Sequence, residues 1–148
     1  MIRIMDSNLK RSIILDNYQN PVNRRKEDNN PNYEKLNTRN VSCIDNIDLY
    51  IKIKDNVIED ISFDGEACAI SISSTSIMTN ILKGKKVEEA IKIIEEYEKM
   101  IDEKEYDKDL IKEAIVYEDI SKQPARIKCA TLTWNGLYKK LKEIEDKK

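Results

Sequence analysis

Between residues 47 and 63 the apolar residues recur at every second position, and from residue 70 onward they recur at every third or fourth. This change of period constrains the fold more than any other feature. Ile47, Leu49, Ile51 and Ile53 alternate with Asp48, Tyr50, Lys52 and Lys54, the mark of a half-buried strand. Asp55-Asn56 is a turn signal. Beyond it, Val57, Ile61 and Phe63 fall on one face of a second strand, with Asp60, Ser62 and Asp64 on the other. A third strand is expected over residues 33–39. Together these predict a small antiparallel sheet with one buried face.

Helical spacing then takes over. Ser74, Ile77, Met78, Ile81 and Leu82 form one stripe that ends near Gly84, and Val87, Ala90, Ile91, Ile94, Tyr97 and Ile101 form a second. Residues 107–117 are expected to make a third helix. A last helix follows Pro124, with Ile127, Ala130, Trp134, Leu137, Tyr138 and Leu141 as its stripe. A short helix over residues 7–18, capped by Ser7 or Asn8, precedes the sheet, and Asn20-Pro21 stops it. Residues 24–32 read as a mobile loop. The sum is an α+β chain, a three-stranded antiparallel sheet packed against a helical layer, in one domain spanning residues 1–148.

A chain of 148 residues buries roughly 70% of its unfolded surface and needs no disulfide to hold a core. It has three cysteines, an odd number that cannot all pair within one chain. Residues 1–10 mix Arg3, Asp6 and Lys10 with isolated apolar residues, so no signal peptide is expected. The apolar runs are too short to span a bilayer. These features predict a cytoplasmic protein with reduced thiols. The 26 basic and 28 acidic residues leave a net charge of −2, which argues against nucleic acid as the main partner.

The chain contains no histidine, so chemistry here must run through sulfur, carboxylate, lysine or arginine. Cys43, Cys68 and Cys129, with Asp45 two residues after the first, could form one metal site, because thiolates bind zinc or iron and a carboxylate can complete a tetrahedron. They could equally be three small buried hydrophobes, since no C-x-x-C pair sharpens the pattern. In extended chain Cys43 and Asp45 share a face. Cys68 lies between a strand and a helix, and Cys129 near the start of the last helix, off its apolar stripe. A helix N-terminus, together with Arg126 and Lys128, is expected to lower the Cys129 pKa.

Several segments then occur in an order that resembles a known family. They are Leu15-Asp16-Asn17-Tyr18-Gln19-Asn20-Pro21-Val22-Asn23, Cys43-Ile44-Asp45, residues 63–71 around Gly65 and Cys68, residues 74–79, and residues 124–134 around Cys129. In these the chain resembles the SufU/IscU (NifU N-terminal) iron–sulfur cluster assembly family, and its SufU branch most. Lys128 stands where the IscU branch has histidine, and Gln123-Pro124-Ala125-Arg126 stands where that branch has its chaperone motif. The long stretch between Cys68 and Cys129 also fits SufU.

The resemblance implies a SufE/NifU-like fold whose three cysteines meet at one end. It implies zinc held by Cys43, Asp45, Cys68 and Cys129. It also implies a zinc-dependent sulfurtransferase that accepts persulfide sulfur from a SufS-like cysteine desulfurase and supplies a downstream cluster scaffold. Cys43 is the expected sulfur acceptor, with Arg126 and Lys128 steering the partner. The alternative is a scaffold on which a 2Fe-2S cluster is assembled and transferred. Two departures stand out: Ile44 replaces the family's usual glycine between Cys43 and Asp45, and Ala67 replaces the glycine before Cys68.

Overall fold

A computed structural model describes residues 6–40 and 44–147. Helix α1 (Ser7–Gln19) leads into three antiparallel strands, β1 (Glu34–Arg39), β2 (Asn46–Lys54) and β3 (Val57–Glu66), in the order β1-β2-β3. Helices α2 (Ala69–Leu82), α3 (Val87–Ile101), the single turn α4 (Lys108–Ile111) and the long α5 (Pro124–Asp146) follow, with two 3₁₀ turns at Lys112–Tyr117 and Ile120–Lys122. The α+β architecture is the one expected.

The β2–β3 hairpin forms where the alternation places it. Asp55 and Asn56 both adopt positive φ, 53° and 65°, which a tight two-residue turn demands and these side chains tolerate. The register slips between Lys52 and Ile53, leaving Glu59 unpaired in a bulge. That slip corrects the expected face of β3: Ile58, rather than Val57, is buried with Ile61 and Phe63. The start of the 24–32 segment pairs with β3. The Arg25 N–H donates to the Phe63 carbonyl, and the Phe63 N–H donates to Asn23. Arg25, Tyr33 and Lys83 all bond Asp60. Burial opposes ionisation of that carboxyl, but the Tyr33 and Lys83 hydrogen bonds and the Arg25 charge hold its pKa below the ordinary aspartate value.

Two helix ends differ from expectation. Asp6 caps α1, its carboxylate accepting from the Leu9 N–H at 2.8 Å; a carboxylate also suits the positive end of the helix dipole. The helix expected over 107–117 breaks at Lys112, where φ is 46°. Residues 114–117 are all buried. Four consecutive buried side chains do not fit one face of an α-helix, and the tighter 3₁₀ turn distributes them differently.

The largest difference lies in α2. It is buried on nearly all sides, with Ser71, Ser73, Ser74, Thr75, Ser76 and Thr79 inside as well as its apolar residues. Each of these hydroxyls is hydrogen-bonded, as burial requires. Ser74 donates to the Ala130 carbonyl and accepts from Trp134 Nε1, while the Trp134 ring stacks on Tyr97 at 3.8 Å. Thr75 and Thr133 bond each other at 2.9 Å. The polar seam fixes α5 against α2 in one register, which sets the position of Cys129 relative to Cys68.

Candidate metal centre

Three chain segments meet at one end of the sheet. The first is the connection from β1 to β2, closed by a hydrogen bond from the Asn40 N–H to the Asp45 carbonyl at 3.0 Å. The second is the step from β3 into α2, where Cys68 is the N-cap residue. The third is the second turn of α5, which carries Cys129.

Asp45 is the hub. Its side chain is fully buried. Oδ1 accepts from the Cys68 N–H at 2.8 Å, and Oδ2 accepts from the Ser71 hydroxyl at 2.6 Å. The Cys68 Sγ lies 3.8 Å from Oδ2. Burial raises the cost of ionising this carboxyl, but the hydrogen bonds from Ser71 and Cys68 overcome it, and the pKa stays below the ordinary aspartate value. Asp45 therefore carries a negative charge inside the protein, beside two thiols.

Cys68 is half-buried and Cys129 is 4% exposed. The Asp45 carboxylate oxygen and the two sulfur atoms all lie within 4.8 Å of one another. Two soft thiols and one carboxylate converging at this spacing suit a small thiophilic cation such as zinc, for which they would supply three of four tetrahedral positions. Cys43, the expected further ligand, lies outside the described residues.

The expected lowering of the Cys129 pKa is reversed. Burial pushes this thiol up, and the adjacent Cys68 sulfur and Asp45 carboxylate push it further. The physical reason is position: Cys129 is the sixth residue of α5, beyond the first turn where the helix dipole acts. Arg126 and Lys128 are exposed on α5. Among the described residues neither bonds Asp45, Cys68 or Cys129, so the structure does not bring them into the cluster.

Ser71 is the site residue that sequence reasoning missed. Its single hydroxyl proton has two acceptors in reach, Asp45 Oδ2 and the Cys129 carbonyl at 3.1 Å, so from α2 it faces both of the other segments. The available signal was the absence of charge from residue 67 to residue 82 in a chain that is 36% charged; such a helix is buried all round, and its hydroxyls face neighbours rather than water. Ile44, beside the site, is 73% exposed.

A family model described as "NifU-like N terminal domain" matches residues 9–147. The chain is 38% identical over 132 residues to the zinc-dependent sulfurtransferase SufU of Bacillus subtilis (strain 168), covering 88% of each. It is 42% identical over 106 residues to the iron–sulfur cluster assembly scaffold protein IscU of Thermotoga maritima, covering 72% of this chain and 75% of that one. Among solved structures, a protein assigned as an iron–sulfur cluster assembly scaffold for the SUF system in Fervidobacterium islandicum AW-1 superposes with a TM-score of 0.78 at 31% identity. The superposition covers 84% of this chain and 90% of that one.

Proposed function

The chain belongs to the NifU-like N-terminal domain family of iron–sulfur cluster assembly proteins, and on that premise we propose that it is a zinc-dependent sulfurtransferase taking persulfide sulfur from a cysteine desulfurase. The observation that carries this reading is the convergence of Asp45, Cys68 and Cys129 within 4.8 Å in a chain without histidine. Similarity to the Bacillus protein named for this activity supports it.

Cys68, Cys129, Asp45 and Cys43 would hold the ion. Zinc bound there keeps thiols ionised and performs no redox chemistry of its own. The Cys43 thiolate attacks the outer sulfur of the desulfurase persulfide. One sulfur–sulfur bond forms as the other breaks, the desulfurase cysteine leaves as a thiolate, and Cys43 becomes the persulfide. No external oxidant or reductant is needed. Asp45 has a resting arrangement of its own, because the Cys68 N–H and the Ser71 hydroxyl satisfy both its oxygens. Arg126 and Lys128 steer the partner by charge, and the sulfur passes on to a downstream scaffold.

A second reading, a scaffold carrying a 2Fe-2S cluster on the same residues, is favoured by the similarity to the Thermotoga protein of that name. Elemental analysis of protein purified without added metal, run beside a desulfurase assay, separates them. About one zinc per chain with accelerated sulfur release is the expected result. Iron with acid-labile sulfide and no acceleration overturns the sulfurtransferase reading in favour of the scaffold.

A further inference from the structure

A cleft of about 580 Å³ runs between β1 and α5, lined on the strand side by residues 36–40 and on the helix side by residues 128–143. Side chains along a strand alternate between its two faces. A cleft touched by four consecutive strand residues, Leu36 to Arg39, therefore follows the edge of the strand and not one face. β1 is an outer strand, hydrogen-bonded only to β2 among the described residues, so this edge keeps unpaired backbone donors and acceptors. At Gly136 the helix packs directly on the strand: an added Cβ there would lie 2.5 Å from the Thr38 methyl.

The cleft is basic. Arg39 on the strand and Lys128 and Lys139 on the helix line it, are exposed, and have no carboxylate partner among the described residues. Lys140 is already matched by Glu34 and Glu143. Lys128 and Lys139 are eleven residues apart on one helix, about 16 Å along its axis, so one small anion cannot meet both. Two copies of this edge pairing together would set cations against cations. An extended segment with several carboxylates fits both features: its backbone completes the edge of β1, and its acidic side chains meet the cations.

We infer that the β1 edge and the facing side of α5 form a docking cleft for an extended acidic segment of a partner protein, which binds by adding a strand to the sheet. The Lys128 end of the cleft adjoins Cys129, so the segment anchors its parent protein beside the metal centre. This inference does not depend on which metal the centre holds.

The test is an amide NMR titration of the full chain with a degenerate pool of short peptides carrying glutamate at alternate positions. The control is the same pool with lysine in place of glutamate. The glutamate pool is expected to shift the amide signals of residues 36–39 and slow the hydrogen exchange of those whose N–H faces away from β2, while the lysine pool does neither. The variants Arg39→Glu and Lys139→Glu replace exposed, unpartnered side chains and keep the fold, which the same spectra verify. Each is expected to raise the half-saturating concentration about tenfold. No shift with the glutamate pool, an equal shift with the lysine pool, or the same shift from inorganic phosphate alone overturns the inference.

Discussion

Replacing Cys129 with serine is expected to leave the protein folded and almost free of metal. The substitution exchanges a soft sulfur for a hydroxyl that does not ionise near neutral pH and binds zinc poorly. The Cys129 sulfur is one of the three candidate ligand atoms within 4.8 Å of one another, and α5 holds it there through contacts remote from the thiol. The Trp134–Ser74 and Thr75–Thr133 hydrogen bonds and the stacking of Trp134 on Tyr97 all remain. Burying the serine hydroxyl costs about 1–2 kcal/mol, inside the roughly 5–15 kcal/mol that holds a domain of this kind together. Zinc affinity falls about a hundredfold or more, close to 2.7 kcal/mol. Metal analysis after dialysis, with a circular-dichroism melt on the same sample, measures both quantities. A folded variant that keeps wild-type metal would remove Cys129 from the site.

Gly65→Ala is expected to damage fold and site together. Gly65 sits at φ +148°, where an added Cβ would lie 2.2 Å from the Asn46 carbonyl oxygen and 2.9 Å from the Ile47 Cα. Both obstacles are backbone atoms of the paired strand, so no side-chain rotation relieves them. Relief requires β3 to move away from β2 at the point where Asn46 follows Asp45 and where the chain turns toward Cys68. The expected loss is about 3 kcal/mol or more of unfolding free energy, read as a lower urea midpoint. Metal retention is expected to drop as well, because the displaced residues adjoin Asp45 and Cys68, two of the candidate ligands. An unchanged midpoint would mean that the strands part there at little cost.

How much of this was legible before the structure depends on which physical signal each element carries. The β2–β3 hairpin announces itself because one of its faces meets the core, and because Asp55-Asn56 adopts the positive φ its turn requires. Helix α3 is equally plain, with a single apolar face and acids in its first turn. Helix α2 is different. Periodicity finds a buried stripe, but a central helix surrounded on all sides also buries its serines and threonines, and a hydroxyl reads as surface until its partner is known. That is why Ser71 went unnoticed beside Cys68. The 3₁₀ stretch at residues 112–117 failed as a helix because its burial is consecutive and not periodic.

The candidate site was legible in part. Asp45, Cys68 and Cys129 come from three segments separated by 23 to 61 residues, and no local spacing rule joins such residues; the family resemblance named them, and the structure places them together. The sign of the Cys129 shift was misread because burial depends on how α5 packs, which the residues flanking a cysteine do not reveal.

The most direct test of the central claim is to locate the sulfur atom after the protein has met its donor. The chain is incubated with a cysteine desulfurase and cysteine, quenched with an alkylating reagent, digested, and its peptides weighed. One extra sulfur on the peptide containing Cys43, absent from the Cys43→Ala variant, is the predicted result. Sulfur carried by Cys68 or Cys129 with Cys43 unmodified, or full sulfur acceptance by Cys43→Ala, would contradict the account.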